Sequence, residues 1–232
     1  MAHYDLLYWS VPFRGQFVRA VLAFAGKDWN EVEDAEIAAM MEGAVADMPV
    51  PFMGPPVLIT ETGFAISQMP AIVLYLGETL DLLPASAEKR ALTMKLVNDA
   101  NDVIDELSLN GGRDMWSEAR WQQSVPRLRK WMTLWEELGR RNGLTEASGY
   151  ILGEADPGIA DIVTATLWIT IADRFNRLEA LLAEAAPLTL ALSRRLYDGP
   201  ALAALRDRTQ RDYGNAYAGG QIGDSMAAIL NV

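Results

Sequence analysis

Tyr8 and Ser10 are hydroxyl-bearing side chains placed where the apolar run YDLLYW gives way to a loop. A phenol at a strand end can donate a hydrogen bond to a sulfur anion. A bond made to the charged form lowers a thiol's pKa and raises its thiolate fraction at neutral pH. From residue type alone, Tyr8 can equally pack its ring and bond its hydroxyl to backbone, and Ser10 can be a turn serine that does the same. Arg14 adds a guanidinium that can hold a carboxylate, stack on a ligand or make a surface ion pair. The second stretch with chemistry in it runs from residue 54 to 77, GPPVLITETGFAISQMPAIVLYLG. It reads as a Pro–Pro entry, a strand, a Gly turn, a return strand and a helix starting at Ser67 or Gln68. A helix that begins directly after a strand presents free backbone N–H groups, which attract carboxylates or phosphates. Pro70 suits its first turn, where an N–H has no partner anyway.

The elements that must position these residues follow from apolar periodicity. Residues 4–9 read as a strand and 14–25 as a helix, with Phe17, Val21 and Phe24 on one face and Gly26 as its stop. A strand over 29–32, a helix over 35–45 and a loop over 48–54 follow. Strands over 57–60 and 64–66 then lead into a helix carrying Ile72, Tyr75 and Leu76 on one face. The order is βαβαββα, a mixed sheet covered by helices. LDLLPAS, residues 80–86, has a proline and no amphipathic period. The expected division is therefore a first domain over 1–79, a linker over 80–87 and an all-helical domain over 88–232. Leu92, Leu96, Val103 and Leu107 keep helical spacing, as do Leu128, Trp131, Trp135 and Leu138. A helix opens at Gly158 and runs through Ile169. A last one opens at Gly199–Pro200 and runs through Leu205, and the glycine-rich tail from Gln210 reads as irregular.

The composition narrows the chemistry. Half of the 232 residues are hydrophobic, enough for one large or two small cores. With 20 basic against 31 acidic residues the net charge is −11, which argues against nucleic acid or an anionic membrane as partner. The start MAHYDLLYW lacks the basic, long-apolar pattern of a signal peptide, and no apolar run approaches the ~20 residues of a membrane span. A cytoplasmic protein is the expectation. Cysteine is absent, which removes disulfides, thiolate metal sites and cysteine nucleophiles. His3 is the sole histidine, so neither a histidine-based triad nor a His-rich metal site is expected.

Pro56 before a strand, the hairpin, and then Gln68-x-x-Ala71-Ile72-x-x-Tyr75-Leu76 resemble the end of the thioredoxin-like domain of cytosolic glutathione transferases. The βαβαββα order followed by a helical bundle is similar to that family's architecture. Gly158-Ile159-Ala160-Asp161-Ile162 resembles its helix-start motif, with Gly158 where the family usually has Ser or Thr. Asp161 can still reach back to the N–H of residue 158, and the missing hydroxyl predicts a helix weaker by a few tenths of a kcal/mol. Tyr8–Trp9 is similar to the tyrosine-type members. The same ungapped frame lays Arg14 on their glutathione-contacting Arg and matches Arg19, Gly26 and Trp29. Ser10-Val11-Pro12 also fits the serine-type pattern, so Ser10 is the alternative to Tyr8 as thiolate stabiliser.

The resemblance implies glutathione as co-substrate and no metal. Because the chain has no cysteine, any thiol must arrive with the ligand. Pro55–Pro56 should be cis, and the helix start at Gln68 and Met69 should hold the γ-glutamyl carboxylate. Gln68 keeps the family's amide. Met69 stands where a hydroxyl is usual and leaves only its backbone N–H. Pro55 has no N–H for the cysteinyl part, a loss of about 1 kcal/mol, or roughly fivefold in affinity. Among Asp99, Asp102 and Asp105, Asp102 is assigned to reach the glutathione amine of the partner in a homodimer. Trp9, Phe13 and Trp116 are assigned to an electrophile pocket, Trp131 and Trp135 to the core. The implied function is transfer of glutathione thiolate to a small apolar electrophile, a detoxification reaction. The alternative, favoured by Pro55 and Met69, is a non-catalytic relative that binds ligands or proteins.

Overall fold

The computed structural model describes residues 4–231, and His3 lies outside the described residues. Strand β1 (Tyr4–Leu7) sits inside a four-stranded sheet of order β2-β1-β3-β4. It pairs in parallel with β2 (Trp29–Val32) and antiparallel with β3 (Val57–Thr60), which turns back into β4 (Ala65–Ser67). The register sets Leu7 opposite Val57 and Val57 opposite Ser67. Residues 8, 56 and 68, each one step beyond these, therefore share one edge of the sheet. Helices α1 (Gly15–Phe24), α2 (Asp34–Glu42) and α3 (Met69–Thr79) complete the βαβαββα unit. The second helix is shorter than residues 35–45. It stops at Gly43 and a 3-10 turn, Val45–Asp47, follows.

After an irregular stretch over 80–86, the remainder is helical. The elements are α4 (Ala87–Leu107), a short turn α5 (Leu109–Gly112), α6 (Glu118–Arg141), α7 (Ile159–Ala172), α8 (Asn176–Ala185), α9 (Pro187–Tyr197), α10 (Pro200–Tyr213) and α11 (Gly220–Leu230). Among the described residues no helix is long and apolar enough to cross a membrane. The tail differs from its expectation. Helix α10 runs past Leu205 to Tyr213, and residues 220–230 form a further helix rather than irregular chain. Its glycines end one helix and begin the next. Ile222, Met226 and Leu230 recur every four residues, and the last two are fully buried. That stripe outweighs the low helix propensity of the intervening glycines.

All fourteen residues of α7 are buried, so this helix is the axis of the second half. It packs against α1, α4 and α9. One continuous apolar core runs from Leu6 and Phe17 through Ile104, Trp135 and Ile162 to Leu230. The other face of the sheet carries a smaller cluster, Leu7, Ile37 and Val57, closed over by Val32, Met40 and Phe52.

The start of α7 explains Gly158. The linker carbonyl of Leu82 accepts the N–H of Ile159 at 3.0 Å, so the linker backbone satisfies the first helical donor. A Cβ on residue 158 would lie 2.6 Å from that same oxygen, so a serine does not fit there. Asp161 keeps its half of the motif, accepting N–H bonds from Gly158 at 3.1 Å and from Ile151 at 2.7 Å. We expect Gly158→Ser to destabilise the chain by about 1–3 kcal/mol, the scale of overpacking, instead of repairing the cap. Urea unfolding measures this, and a variant as stable as the parent would contradict it.

Burial pushes the Asp161 carboxyl up to about 6, against the pull of its backbone N–H donors. The folded chain then holds this proton more tightly than the unfolded chain. The group's stabilising contribution is complete below about pH 4 and is lost as pH rises through about 6. Asp161→Asn should flatten the stability profile over that window. An unchanged slope would show that another group sets it.

Candidate active site

The loop after β1 is held by a buried ion pair. Arg19, 2% exposed, meets Glu31 with two bonds, Nε to Oε1 at 2.8 Å and Nη2 to Oε2 at 2.9 Å. Its Nη1 donates to the Val11 carbonyl at 2.9 Å, and the Trp29 indole N–H donates to Glu31 at 2.7 Å. Such two-point pairing is what allows a charge to be buried. The Arg19 guanidinium lies 5.6 Å from the centre of the Tyr8 ring. On another side of that ring stands Gly15, where a Cβ would be 2.2 Å from a ring carbon. Only glycine permits this approach.

Tyr8 is 4% exposed. Its hydroxyl accepts the backbone N–H of Arg14 at 3.0 Å, and its own hydrogen has no acceptor among the described residues. Burial pushes this phenol up to about 12, so it stays protonated and able to donate at neutral pH. Ser10 differs. Its N–H and its hydroxyl both bond Asp34 at 3.1 Å, so its only proton is committed to tying the loop to the start of α2.

Arg14 joins the two halves of the chain. Its Nε donates to Asn101 on α4 at 3.2 Å, and its Nη2 lies 3.6 Å from Asp105, an exposed carboxylate that adds little at that distance. Phe13 packs under the Arg14 guanidinium at 4.9 Å and edge-on against Tyr217 at 5.4 Å. Its N–H donates to the Tyr217 carbonyl at 3.2 Å. Burial raises the Tyr217 phenol, whose charge would couple to Arg14 and Tyr8, so the segment after α10 lies beside this loop. Asp102 is exposed on α4 and sits near Arg127 instead of Arg14.

At the same sheet edge the Pro55–Pro56 bond is cis. The Pro56 carbonyl accepts the Gln68 N–H at 3.2 Å, and Gln68 takes a φ of 76°, a left-handed conformation that is strained for a non-glycine. The Gln68 side chain is exposed. Pro70 has no N–H, so the donors opening α3 are those of Met69 and Ala71, which have no carbonyl one turn back. The Met69 side chain is fully buried in the main core. It does not line the helix mouth, where a side chain replacing the usual hydroxyl would be looked for.

Trp9 is half-buried against the core. Trp116 is buried, with its indole N–H on the Leu107 carbonyl at 2.9 Å and its ring 6.5 Å from that of Trp121. It also borders a cavity of about 390 Å³, together with Asp105, Leu109, Arg120 and Leu128. Asp105 thus links this cavity to Arg14. Of the residues the sequence suggested, the structure gathers Tyr8, Phe13 and Arg14 in one cluster and brings Pro55, Gln68 and Met69 to the same edge. It leaves Ser10 committed elsewhere, Asp102 apart and Trp116 across the cavity. Sequence reasoning missed Asn101 and Tyr217. Asn101 and Asp105 are four apart on one helix face, but no pattern pointed that face at Arg14. Tyr217 lies in the stretch that reads as irregular.

Because Met69 is a core side chain, Met69→Ser should cost about 2–5 kcal/mol, as large-to-small core changes do. Chemical denaturation tests this, and a loss under 1 kcal/mol would mean that the side chain does not carry the packing described.

Residues 92–229 match a family model described as glutathione S-transferase, C-terminal domain. Similar solved structures include a Nu-class glutathione S-transferase from Haemonchus contortus, 22% identical with a TM-score of 0.70, covering 89% of this chain and 97% of that one. The Pi-class glutathione S-transferase of Onchocerca volvulus is 15% identical with a TM-score of 0.73, over 94% of this chain and 98% of that one. The glutathione S-transferase of Ascaris lumbricoides is 19% identical with a TM-score of 0.69, over 89% and 97%. At these identities the likeness establishes the fold. No curated protein matches the chain.

Proposed function

The chain belongs to the glutathione S-transferase family, and from that premise we propose that it conjugates glutathione thiolate to a small apolar electrophile. The observation that carries this reading is the Tyr8 hydroxyl, buried, protonated, accepting from Arg14 N–H and with its own hydrogen uncommitted among the described residues. Glutathione would lie along the shared edge of the sheet. Its thiol would sit at Tyr8 and its γ-glutamyl carboxylate at the N–H groups of Met69 and Ala71, beside Gln68 and the Pro55 carbonyl. The thiol proton leaves to solvent, and the Tyr8 O–H donates to the sulfur anion that remains. That bond favours the thiolate and lowers its pKa. The sulfur then attacks the electrophile and displaces its leaving group or adds across its double bond.

The cavity bordered by Trp116 and Leu128, next to the Arg14–Asp105 contact, supports an electrophile site there, with Trp9 and Phe13 on the loop side. The first domain over 1–79, the linker over 80–87 and the helical domain over 88–232 remain the proposed division of labour. A cytoplasmic homodimer belongs to the same reading. Exposed Met94 on α4 and Leu134 on α6 offer apolar surface for a second copy, and exposed Asp102 would meet the glutathione amine of that copy. The second reading is a non-catalytic binding protein. It is favoured by Pro55, which has no N–H to give, and by the lack of a hydroxyl at Met69.

Tyr8→Phe removes only the donor. It should leave glutathione affinity nearly unchanged, raise the pKa of the bound thiol and lower turnover at neutral pH by about ten- to a hundredfold, the scale of one charge-assisted hydrogen bond. Ser10→Ala should leave both within about twofold, because its proton serves Asp34. Calorimetry with glutathione and titration of thiolate absorbance in the two variants check this. A raised pKa in Ser10→Ala but not in Tyr8→Phe reverses the assignment, and absence of glutathione binding in the parent chain supports the non-catalytic reading.

A further inference from the structure

Away from the Tyr8 hydroxyl, helices α1, α7, α9 and α10 border a cavity of about 320 Å³. Its lining is polar for a helix junction. Gln16 comes from α1, Thr170 from α7 and Thr209 from α10, and the two cations Arg174 and Arg206 share the lining with two carboxylates, Asp173 and Asp207. Neither Tyr8, Gln68 nor Met69 lines it.

Two of these groups are incomplete. Gln16 is 2% exposed; its amide nitrogen donates to the Thr209 hydroxyl at 2.9 Å, and its Oε1 is buried with no hydrogen-bond partner among the described residues. Exchanging the two ends of the amide lets Thr209 donate to the oxygen but leaves the NH₂ group open instead, so one polar end stays unmatched in either orientation. Arg174 donates from Nε to the Ala216 carbonyl at 2.8 Å and from Nη1 to the Thr170 carbonyl at 3.3 Å. It makes no ion pair among the described residues. The neighbouring Asp173 attracts it but is itself held by Arg206 in a two-point contact, with Nε at 2.7 Å. A largely buried guanidinium bonded only to neutral carbonyls lacks the counter-charge that burial ordinarily demands. Burial accordingly lowers its pKa.

We propose that this cavity binds a small oxyanion that also carries a hydroxyl or a protonated oxygen, with Arg174 as its counter-ion and Gln16 bonded to the hydroxyl. A carboxylate or a phosphate supplies the first group equally well, since a guanidinium fork matches either. The site is separate from the conjugation chemistry proposed above and does not depend on it. It lies behind the segment that meets the Tyr8 loop, because Arg174 holds Ala216 and the next residue, Tyr217, touches Phe13.

Inorganic phosphate, which carries a P–OH at neutral pH, and lactate, a hydroxycarboxylate, are the probes. Each is titrated into the full chain by calorimetry at ionic strength held constant with sodium chloride. Saturable binding is expected for at least one of them. Gln16→Leu and Arg174→Gln should each weaken it by about tenfold or more, the scale of a lost charge-assisted bond. Phosphate without lactate, or the reverse, supports the site and identifies its oxyanion. Heat that does not saturate for either probe, or binding unchanged in Gln16→Leu, overturns the proposal. Should Arg174→Gln fail to fold, Gln16→Leu decides alone, since that side chain gives up a single hydrogen bond.

Discussion

A buried guanidinium must be paired, and much of the first half of this chain is arranged around that requirement. Arg19 satisfies it with both oxygens of Glu31 and with the loop carbonyl of Val11. Glu31 lies on β2 and Arg19 on α1, so the pair fixes helix against sheet. The loop it grips is the one that carries Tyr8 to Arg14. With the Arg19 guanidinium against the Tyr8 ring and Gly15 against another side of it, the phenol has little freedom to turn. Its hydroxyl therefore meets the Arg14 N–H as a consequence of packing beneath it.

The two halves of the chain are joined at several points, each of a different kind. Main chain meets main chain where Leu82 accepts from Ile159. Side chains meet where Arg14 reaches Asn101 and where Gln16 reaches Thr209. Apolar surface is continuous from α1 and α3 into α4 and α7. Helix α7 can start inside the core because its N-terminal end is served, its first donor by the Leu82 carbonyl and the N–H of Gly158 just before it by Asp161. A linker that also caps a helix cannot be lengthened or rotated freely. The relative placement of the two halves is thus set by backbone hydrogen bonds as well as by apolar contact.

Local signals made most of the fold legible in the sequence. Strands 29–32 and 57–60 fall where the β-branched and aromatic runs place them, because period-2 and apolar patterns report burial directly. The Pro55–Pro56 geometry and the reach of Asp161 to residue 158 are likewise local, and both are present. What the sequence concealed depends on contacts between distant segments. Gly158 reads as a weakened cap until the Leu82 carbonyl is seen in the space of its missing Cβ. Met69 reads as a helix-mouth side chain, but the first turn of α3 directs it into the core. The last helix hides behind glycines whose turn-forming character dominates the local pattern, although its apolar stripe is there. At the candidate site, the helix start at Gln68 is readable from the strand-to-helix pattern, and Tyr8 and Arg14 stand out only through the resemblance. Asn101 and Tyr217 are not readable, since nothing in a linear pattern reports which helix face meets a loop far away in sequence.

Arg14 has two attachments, its amide to the Tyr8 oxygen and its guanidinium to α4. One residue therefore spans the seam between the halves while its main chain polarises the phenol. An accepted hydrogen bond makes a hydroxyl a stronger donor. Any rocking of the helical half that draws Arg14 with it lengthens or shortens that amide contact. The donor strength of Tyr8 is then tied to how the two halves of the chain sit against each other.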